Sequence, residues 1–254
     1  MGALIKTAQE IVGMRHVGAF ATQLLEWLVP QITIGMTTDD INTLVHDYHV
    51  RHNAVPAPLN YNGFPKSVCT SVNNVVCHGI PDDTTLRNGD IVNIDITPKI
   101  DGYHGDTSVM VEVGTVTPIA HRLVRTAYEA MVCGIRVVRP GAHLGDIGHA
   151  IQQHVEAQGF SVVRDYCGHG IGRVFHEDPQ VLHYGRAGTG MTLAPGMIFT
   201  IEPMINVGDY HTEVLDDDWT VQTVDGSLSA QWEHTILVTD DGYEVLTLRT
   251  DEVI

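Results

Sequence analysis

One short pattern occurs twice in the chain. NGDIVNIDI (88–96) and PGMIFTIEP (195–203) share a glycine (Gly89, Gly196) and two isoleucines at matching places (Ile91 with Ile198, Ile94 with Ile201). Both carry a carboxylate in the next-to-last place, Asp95 and Glu202, 107 residues apart. Each copy therefore reads as a glycine turn, a buried strand and an acid at its end. An acid there is expensive unless something neutralises it. Each is followed by a second acid on a later strand-like run, Asp106 in HGDTS and Glu233 in QWEHT. The pattern confines the chain to a duplicated half, with each half offering two carboxylates to a shared site.

The rest of the sequence fits that frame. Residues 3–28 read as a helix, with Leu4, Ile11, Met14, Val17, Phe20 and Leu24 at helical spacing. Thr37 or Thr38 is the expected N-cap of a second helix whose first turn is acidic. Residues 54–66, rich in Pro, Asn, Tyr and Gly, read as an irregular, pocket-forming stretch. Short β-like runs follow (SVCTSV, DIVNIDITP, TSVMVEVG), then helices over 118–138 and 144–158 around Pro140-Gly141. The last hundred residues are mostly strand-like. No linker or low-complexity run divides the 254 residues, so the expectation is one α+β domain, 1–254.

Charge narrows the partners. Thirty-one Asp and Glu against 14 Lys and Arg give a net charge of −17. That disfavours nucleic acid and anionic membranes and favours metal ions and cationic groups. Many acids with only three lysines also suit a salt-tolerant surface. No apolar run is long enough to span a bilayer. Lys6 and Glu10 break up the N-terminus before a signal peptide could form. Cysteines 69, 77, 133 and 167 have no zinc-site spacing, so reduced thiols in a cytoplasmic protein are expected.

The acids have a recognisable geometry. Asp101-Gly102 is a hairpin signal. A hairpin centred between residues 100 and 101 would set Asp95 directly opposite Asp106, about 4.5–5.5 Å apart at Cβ. Carboxylates that close must share a proton or bind a cation. Glu202 and Glu233 stand in similar apolar strand contexts. His169 lies between glycines in CGHGIG, which would let the backbone approach a ligand. His176 follows in FHEDP. Oxygen ligands with one imidazole suit Mn²⁺ or Fe²⁺, and two divalent ions neutralise four carboxylates. Two such ions activate water and clamp a tetrahedral transition state. The residues alone therefore point to a dinuclear metallohydrolase.

The motifs VCHGIP (76–81), NIDIT (93–97), HGDTS (104–108), CGHGIG (167–172), FHEDP (175–179), TIEPM (200–204) and QWEHT (231–235) stand in this order. Together they resemble the bacterial type I methionine aminopeptidases, over essentially the whole chain. The resemblance implies a pita-bread fold, with two pseudo-symmetric halves around a central antiparallel sheet.

The resemblance also implies residue roles. Asp95, Asp106, His169, Glu202 and Glu233 match the metal ligands, with Asp106 and Glu233 as the bridging pair. His78, His176 and Glu202 match the catalytic groups. His78 would support proton transfer, His176 would hold the substrate carbonyl, and Glu202 would accept a proton. Tyr61, Phe64, Cys69, His78, Phe175, His176 and Trp219, with Pro58, match the methionine-binding pocket. Asn73, Val75 and Ser229 match a monovalent cation site. The implied reaction is removal of the initiator methionine before a small second residue, by a bridging metal-bound hydroxide. The implied cofactors are two divalent ions (Fe²⁺, Mn²⁺ or Co²⁺, with Zn²⁺ also accepted) and one monovalent cation. The implied partners are N-terminal Met peptides and nascent chains, with a monomeric state.

Three departures accompany the match. Pro58 and Phe64 stand where many members carry Cys and Tyr, and Trp232 replaces a Tyr beside the bridging glutamate. Residues 206–230 hold no Lys or Arg but six acids: Asp209, Glu213, Asp216, Asp217, Asp218 and Asp225. Such a segment would be repelled by ribosomal RNA, so ribosome docking is expected to be weak. Met1-Gly2 has the small second residue that such an enzyme would accept. The competing readings are a proline-specific aminopeptidase of the same fold and a non-catalytic pita-bread binding protein. The first usually carries an extra N-terminal domain, and the second has usually lost metal ligands that are all present here.

Overall fold

The computed structural model describes residues 5–254. The Met1-Gly2 start and Leu4 lie outside them. Helix α1 is Ala8–Leu28, shorter than the helix expected from residue 3. The reason is a capping box: the Thr7 hydroxyl accepts the Glu10 N–H, and Glu10 accepts the Thr7 N–H. Helix α2, Thr38–Arg51, opens with the same device at Thr37 and Asp40. Helices α3 (Pro118–Arg136) and α4 (Leu144–Ala157) end one or two residues before the expected limits. The 54–66 stretch holds one short strand, Val55–Pro56, and a single 3-10 turn, Tyr61–Gly63.

The duplicated phrase becomes two matching strands, Ile91–Ile96 and Ile198–Ile201. Gly89 and Gly196 both turn the chain with positive φ, 100° and 87°. The first strand lies between Cys69–Val72 and Thr107–Glu112, antiparallel to both. The second lies between Gly168–Gly170 and His234–Val238, again antiparallel to both. A bridge between Ser108 and Glu233 joins the two sheets.

Each half buries its sheet under two helices. Leu24, Leu25 and Leu28 of α1 and Ile41 and Val45 of α2 pack on Val92, Ile94, Ile96 and Val109. Leu123, Ala127, Met131 and Ile135 of α3 and Ile147, Ile151 and Val155 of α4 pack on Phe199, Ile201 and Ile236. Trp232 packs against both cores, at the seam. With the helices outside, the inner sheet faces are left for the acids, which is the pita-bread arrangement.

The hairpin register differs from the sequence expectation. Ile100 pairs with Tyr103, Lys99 with His104 and Asp95 with Ser108, so the turn is Asp101-Gly102 itself. Asp101 (φ 52°) and Gly102 (φ 83°) both take the left-handed backbone that a tight two-residue turn demands. Asp95 therefore does not face Asp106. Asp106 sits opposite Thr97, whose hydroxyl donates to its Oδ1 at 2.7 Å. The shift is two residues, and side chains alternate with period two, so both aspartates stay on the same face.

Candidate metal centre and pocket

One pocket of about 390 Å³ gathers the chemistry. Asp95, Asp106, His169, Glu202 and Glu233 line it, and so do His78, His176, Pro58, Tyr61, Phe64, Cys69, Phe175 and Trp219. The polar floor and the aromatic wall are thus parts of a single cavity.

Ligand atoms of Asp106, His169 and Glu233 lie within 4.8 Å of one another. His169 Nε2 is 3.5 Å from Asp106 Oδ2 and 3.6 Å from Glu202 Oε1. Its other ring nitrogen is held 3.0 Å from the Gly170 carbonyl, so Nε2 is the atom offered to the pocket. A hydrogen bond on one ring nitrogen fixes the tautomer that frees the other to bind metal. The Thr200 hydroxyl donates to Glu202 Oε1 at 2.6 Å, and Gln231 Nε2 donates to Oε2 at 3.2 Å. Glu202 is therefore oriented by its protein neighbours.

The electrostatics favour a cation. Burial, reinforced by Asp106 and Glu202, holds Asp95 well above the ordinary carboxylate range. Burial and then Asp106, Glu202 and Asp95 do the same to Glu233. Burial raises Glu202 to about 7 against the pull of His169 and Thr200. Burial opposes charge on His169, yet Asp106 and Glu202 lift it to about 9. Buried acids that take on charge this reluctantly are stabilised as carboxylates by positive charge among them, and hard oxygen donors with one imidazole fit divalent first-row ions.

The backbone around the site is adapted to it. Gly168 and Gly170 flank His169 for a different reason from the expected one. A Cβ on Gly168 would meet the Thr200 carbonyl oxygen at 2.3 Å, and one on Gly170 the Asp178 carbonyl at 2.1 Å. The glycines admit neighbouring strands, not a ligand. His78 has φ 56°, a costly conformation for a side chain of this size. It places the imidazole against the ring edges of Tyr166 and Trp219, with centroids 5.8 and 6.0 Å away. Burial keeps His78 below its ordinary pKa and pushes His176 down to about 4, so both stand neutral near pH 7. His176 Nδ1 lies 2.9 Å from the Tyr61 hydroxyl, and its ring stacks on Phe175. Trp219 meets Phe64 edge-on at 5.2 Å, and its backbone N–H donates to Asp217 Oδ1 at 2.9 Å.

The pocket includes groups the sequence reading passed over. Thr97 and Gln231 line it, each two residues from a candidate ligand, so strand alternation alone could have found them. Cys167 and Met204 also stand two residues from candidate ligands, His169 and Glu202, whereas Cys77, Tyr166, Asn62 and Asp165 complete the lining without that signal. Of the expected monovalent-cation residues, Ser229 donates its N–H to the Asn73 carbonyl at 2.9 Å, and Val75 pairs with Gln222 on a neighbouring strand.

This fold and pocket define a metallopeptidase architecture. Residues 12–240 match the model of metallopeptidase family M24, and the chain belongs to that family. Its relatives include the methionine aminopeptidase of Rickettsia prowazekii, 57% identical over 96% of this chain and 95% of that one. The methionine aminopeptidase of Escherichia coli K12 is 54% identical over 100% of this chain and 97% of its own. The Rickettsia crystal structure superposes with a TM-score of 0.95 over 96% of this chain and 99% of that one. A Pyrococcus horikoshii prolidase shares the fold at a TM-score of 0.77 and 21% identity, over 99% of this chain and 65% of that one.

Proposed function

We propose that the protein is a dinuclear metalloaminopeptidase that removes the initiator methionine from new or nascent chains with a small second residue. The observation that carries this is the meeting of four carboxylates, one imidazole and an apolar aromatic wall in one pocket. The relatives' shared name agrees with it.

In this reading Asp95, Asp106, His169, Glu202 and Glu233 would hold two divalent ions. Bound there, the ions would supply Lewis acidity, lowering the pKa of water and polarising a carbonyl. Fe²⁺, Mn²⁺ and Co²⁺ suit the donor set, and Zn²⁺ is compatible with it. Pro58, Tyr61, Phe64, Cys69, Phe175 and Trp219 take the methionine side chain, whose thioether packs well on aromatic rings. His176 holds the scissile carbonyl oxygen as it gains charge, with Tyr61 fixing its ring. Glu202 accepts the proton of the attacking water. His78, beside the leaving amine, assists delivery of a proton to it. Asn73, Val75 and Ser229 would hold a monovalent cation.

The same reading makes residues 1–254 one catalytic domain, working as a monomer in the cytoplasm. Among the described residues no helix is long and apolar enough to cross a membrane. The acidic 206–230 segment opposes RNA, so ribosome docking is weak and direct nucleic-acid binding is absent.

The test is peptide cleavage by metal-stripped protein, with Fe²⁺, Mn²⁺ or Co²⁺ restored separately. Met-Ala-Ser should lose its methionine only with metal, while Leu-Ala-Ser, Met-Lys-Ser and Ala-Pro-Ser stay intact. Cleavage of Ala-Pro-Ser would move the protein to the proline-specific branch. Inertness with every metal, in folded protein that binds two ions, would favour a binding role.

A further inference from the structure

We infer that the segment Leu246–Glu252 is a positioning strap for the metal-bridging carboxylates, with Glu252 and Arg249 as its working residues. The inference rests on the reading of Asp106 and Glu233 as metal ligands.

Glu233 points into the pocket, so by strand alternation its neighbours Trp232 and His234 emerge on the opposite face. The strap grips both. His234 is fully buried, with Nδ1 2.9 Å from the Thr247 hydroxyl and Nε2 3.1 Å from Glu252 Oε2. The Arg249 guanidinium lies over the Trp232 ring, 5.2 Å from its centroid. The same guanidinium pairs with Glu252, which also accepts the Arg249 N–H at 2.9 Å. Thr235, two residues past Glu233, is held along its backbone as well. Its N–H donates to the Thr247 hydroxyl at 3.1 Å, and its carbonyl accepts the Leu246 N–H at 2.9 Å.

That grip reaches both acids. The Thr235 hydroxyl donates to the Asp106 carbonyl at 2.8 Å. In return the Thr107 hydroxyl donates to the Glu233 carbonyl at 2.8 Å. The backbones of the two acids are cross-stitched through threonines one and two residues further along, and the strap fixes one end of the stitch.

The chemistry of the strap argues for more than tidy packing. Glu252 and Arg249 are more than nine-tenths buried, and burying an ion pair is a poor route to stability alone. Its better-attested use is to fix one arrangement among several. The surroundings leave room for others. Grooves of about 340 and 460 Å³ flank Trp232 and Arg249 on the outer face. Trp232 is held there by three directed contacts: Arg249 over its ring, Tyr128 edge-on at 5.2 Å, and its Nε1–H donating to the Val124 carbonyl at 3.0 Å. Partners that orient metal ligands typically govern 10–100-fold in affinity or activity.

The experiment compares wild type with Glu252→Ala, Glu252→Gln and Thr247→Val. Mn²⁺ binding is measured by calorimetry, the bound ions by electron paramagnetic resonance, and Met-Ala-Ser cleavage by steady-state kinetics. Glu252→Ala should weaken the Mn²⁺ affinity about 10–100-fold and change the coupled two-ion spectrum. Its kcat should fall while KM stays within about twofold, because the methionine pocket is untouched. Glu252→Gln, which keeps an acceptor for Arg249, should recover most of the loss. Wild-type Mn²⁺ affinity and spectrum in a Glu252→Ala protein that merely melts earlier would overturn the inference. A raised KM at unchanged kcat would also overturn it. Should Glu252→Ala not fold, Thr247→Val decides by the same criteria. If wild type binds no Mn²⁺, the site assignment fails. If it binds two ions without cleaving Met-Ala-Ser, only the proposed activity fails, and the Mn²⁺ measurements still judge the strap.

Discussion

The two halves solve one problem with different arithmetic. In the first, Asp95 pairs with Ser108, and Asp106 sits two residues off that register, opposite Thr97. In the second, Ile201 pairs with His234, so the next step of the register brings Glu202 opposite Glu233. The first half uses the short acid with an offset, and the second uses the long acid face to face. Yet each half gives a threonine hydroxyl to one acid, Thr97 to Asp106 at 2.7 Å and Thr200 to Glu202 at 2.6 Å. The duplicated strand fixes which face carries charge. The ligand lengths and registers are free to diverge, provided the acids converge at the seam.

The largest effects test whether the halves are equal partners. Asp106→Ala and Glu233→Ala should each lower kcat/KM for Met-Ala-Ser by about a thousandfold or more and reduce the bound metal, read by atomic emission. A modest loss from either one would break the symmetry argued here.

A second test separates the cores. His49 in α2 is fully buried, its Nδ1 2.8 Å from the Val45 carbonyl, and burial holds it down to about 4. Its neutral form belongs to the fold. The unfolded chain takes up a proton near pH 6.5, whereas the native one does not until about pH 4. Its contribution is therefore intact above pH 6.5 and is lost as pH falls toward 4, about 3 kcal/mol in all. Urea unfolding of metal-free protein at pH 7 and pH 4.5 should show a smaller pH dependence in His49→Leu than in wild type.

Finer still, Thr97→Val and Thr200→Val should each cost about 10–100-fold in metal affinity by calorimetry. A loss from one alone would show that only one half orients its acid this way. The smallest effect is at the helix starts. Thr7→Ala and Thr37→Ala should each cost about 1 kcal/mol in thermal unfolding, through loss of equivalent capping boxes on α1 and α2.

Much of this was legible beforehand because it rests on period and chemistry. The apolar face of α1, an N-cap at Thr37 or Thr38 and the two Gly-strand-acid phrases are local signals. The site residues could be assembled because the resemblance ties distant motifs together. The hairpin register escaped, since Asp101-Gly102 marks a turn without saying which of its bonds is the centre. The role of Gly168 and Gly170 escaped too, because a glycine that admits a strand and one that admits a ligand look alike in one dimension. The strap of Leu246–Glu252 gave no sign, because its partners lie 12–18 residues away on another strand.

The Asp101-Gly102 turn has a consequence for how such a chain can change over generations. Pairing runs without a slip from Ile100–Tyr103 out to Ile91–Glu112. Gaining or losing one residue at the tip would turn one strand over relative to the other and send Asp95 or Asp106 into the core. Two residues would only lengthen or shorten the finger and return both to their face. Descendants of this sequence can therefore vary that hairpin by even counts, while odd ones are removed by selection unless a bulge restores parity.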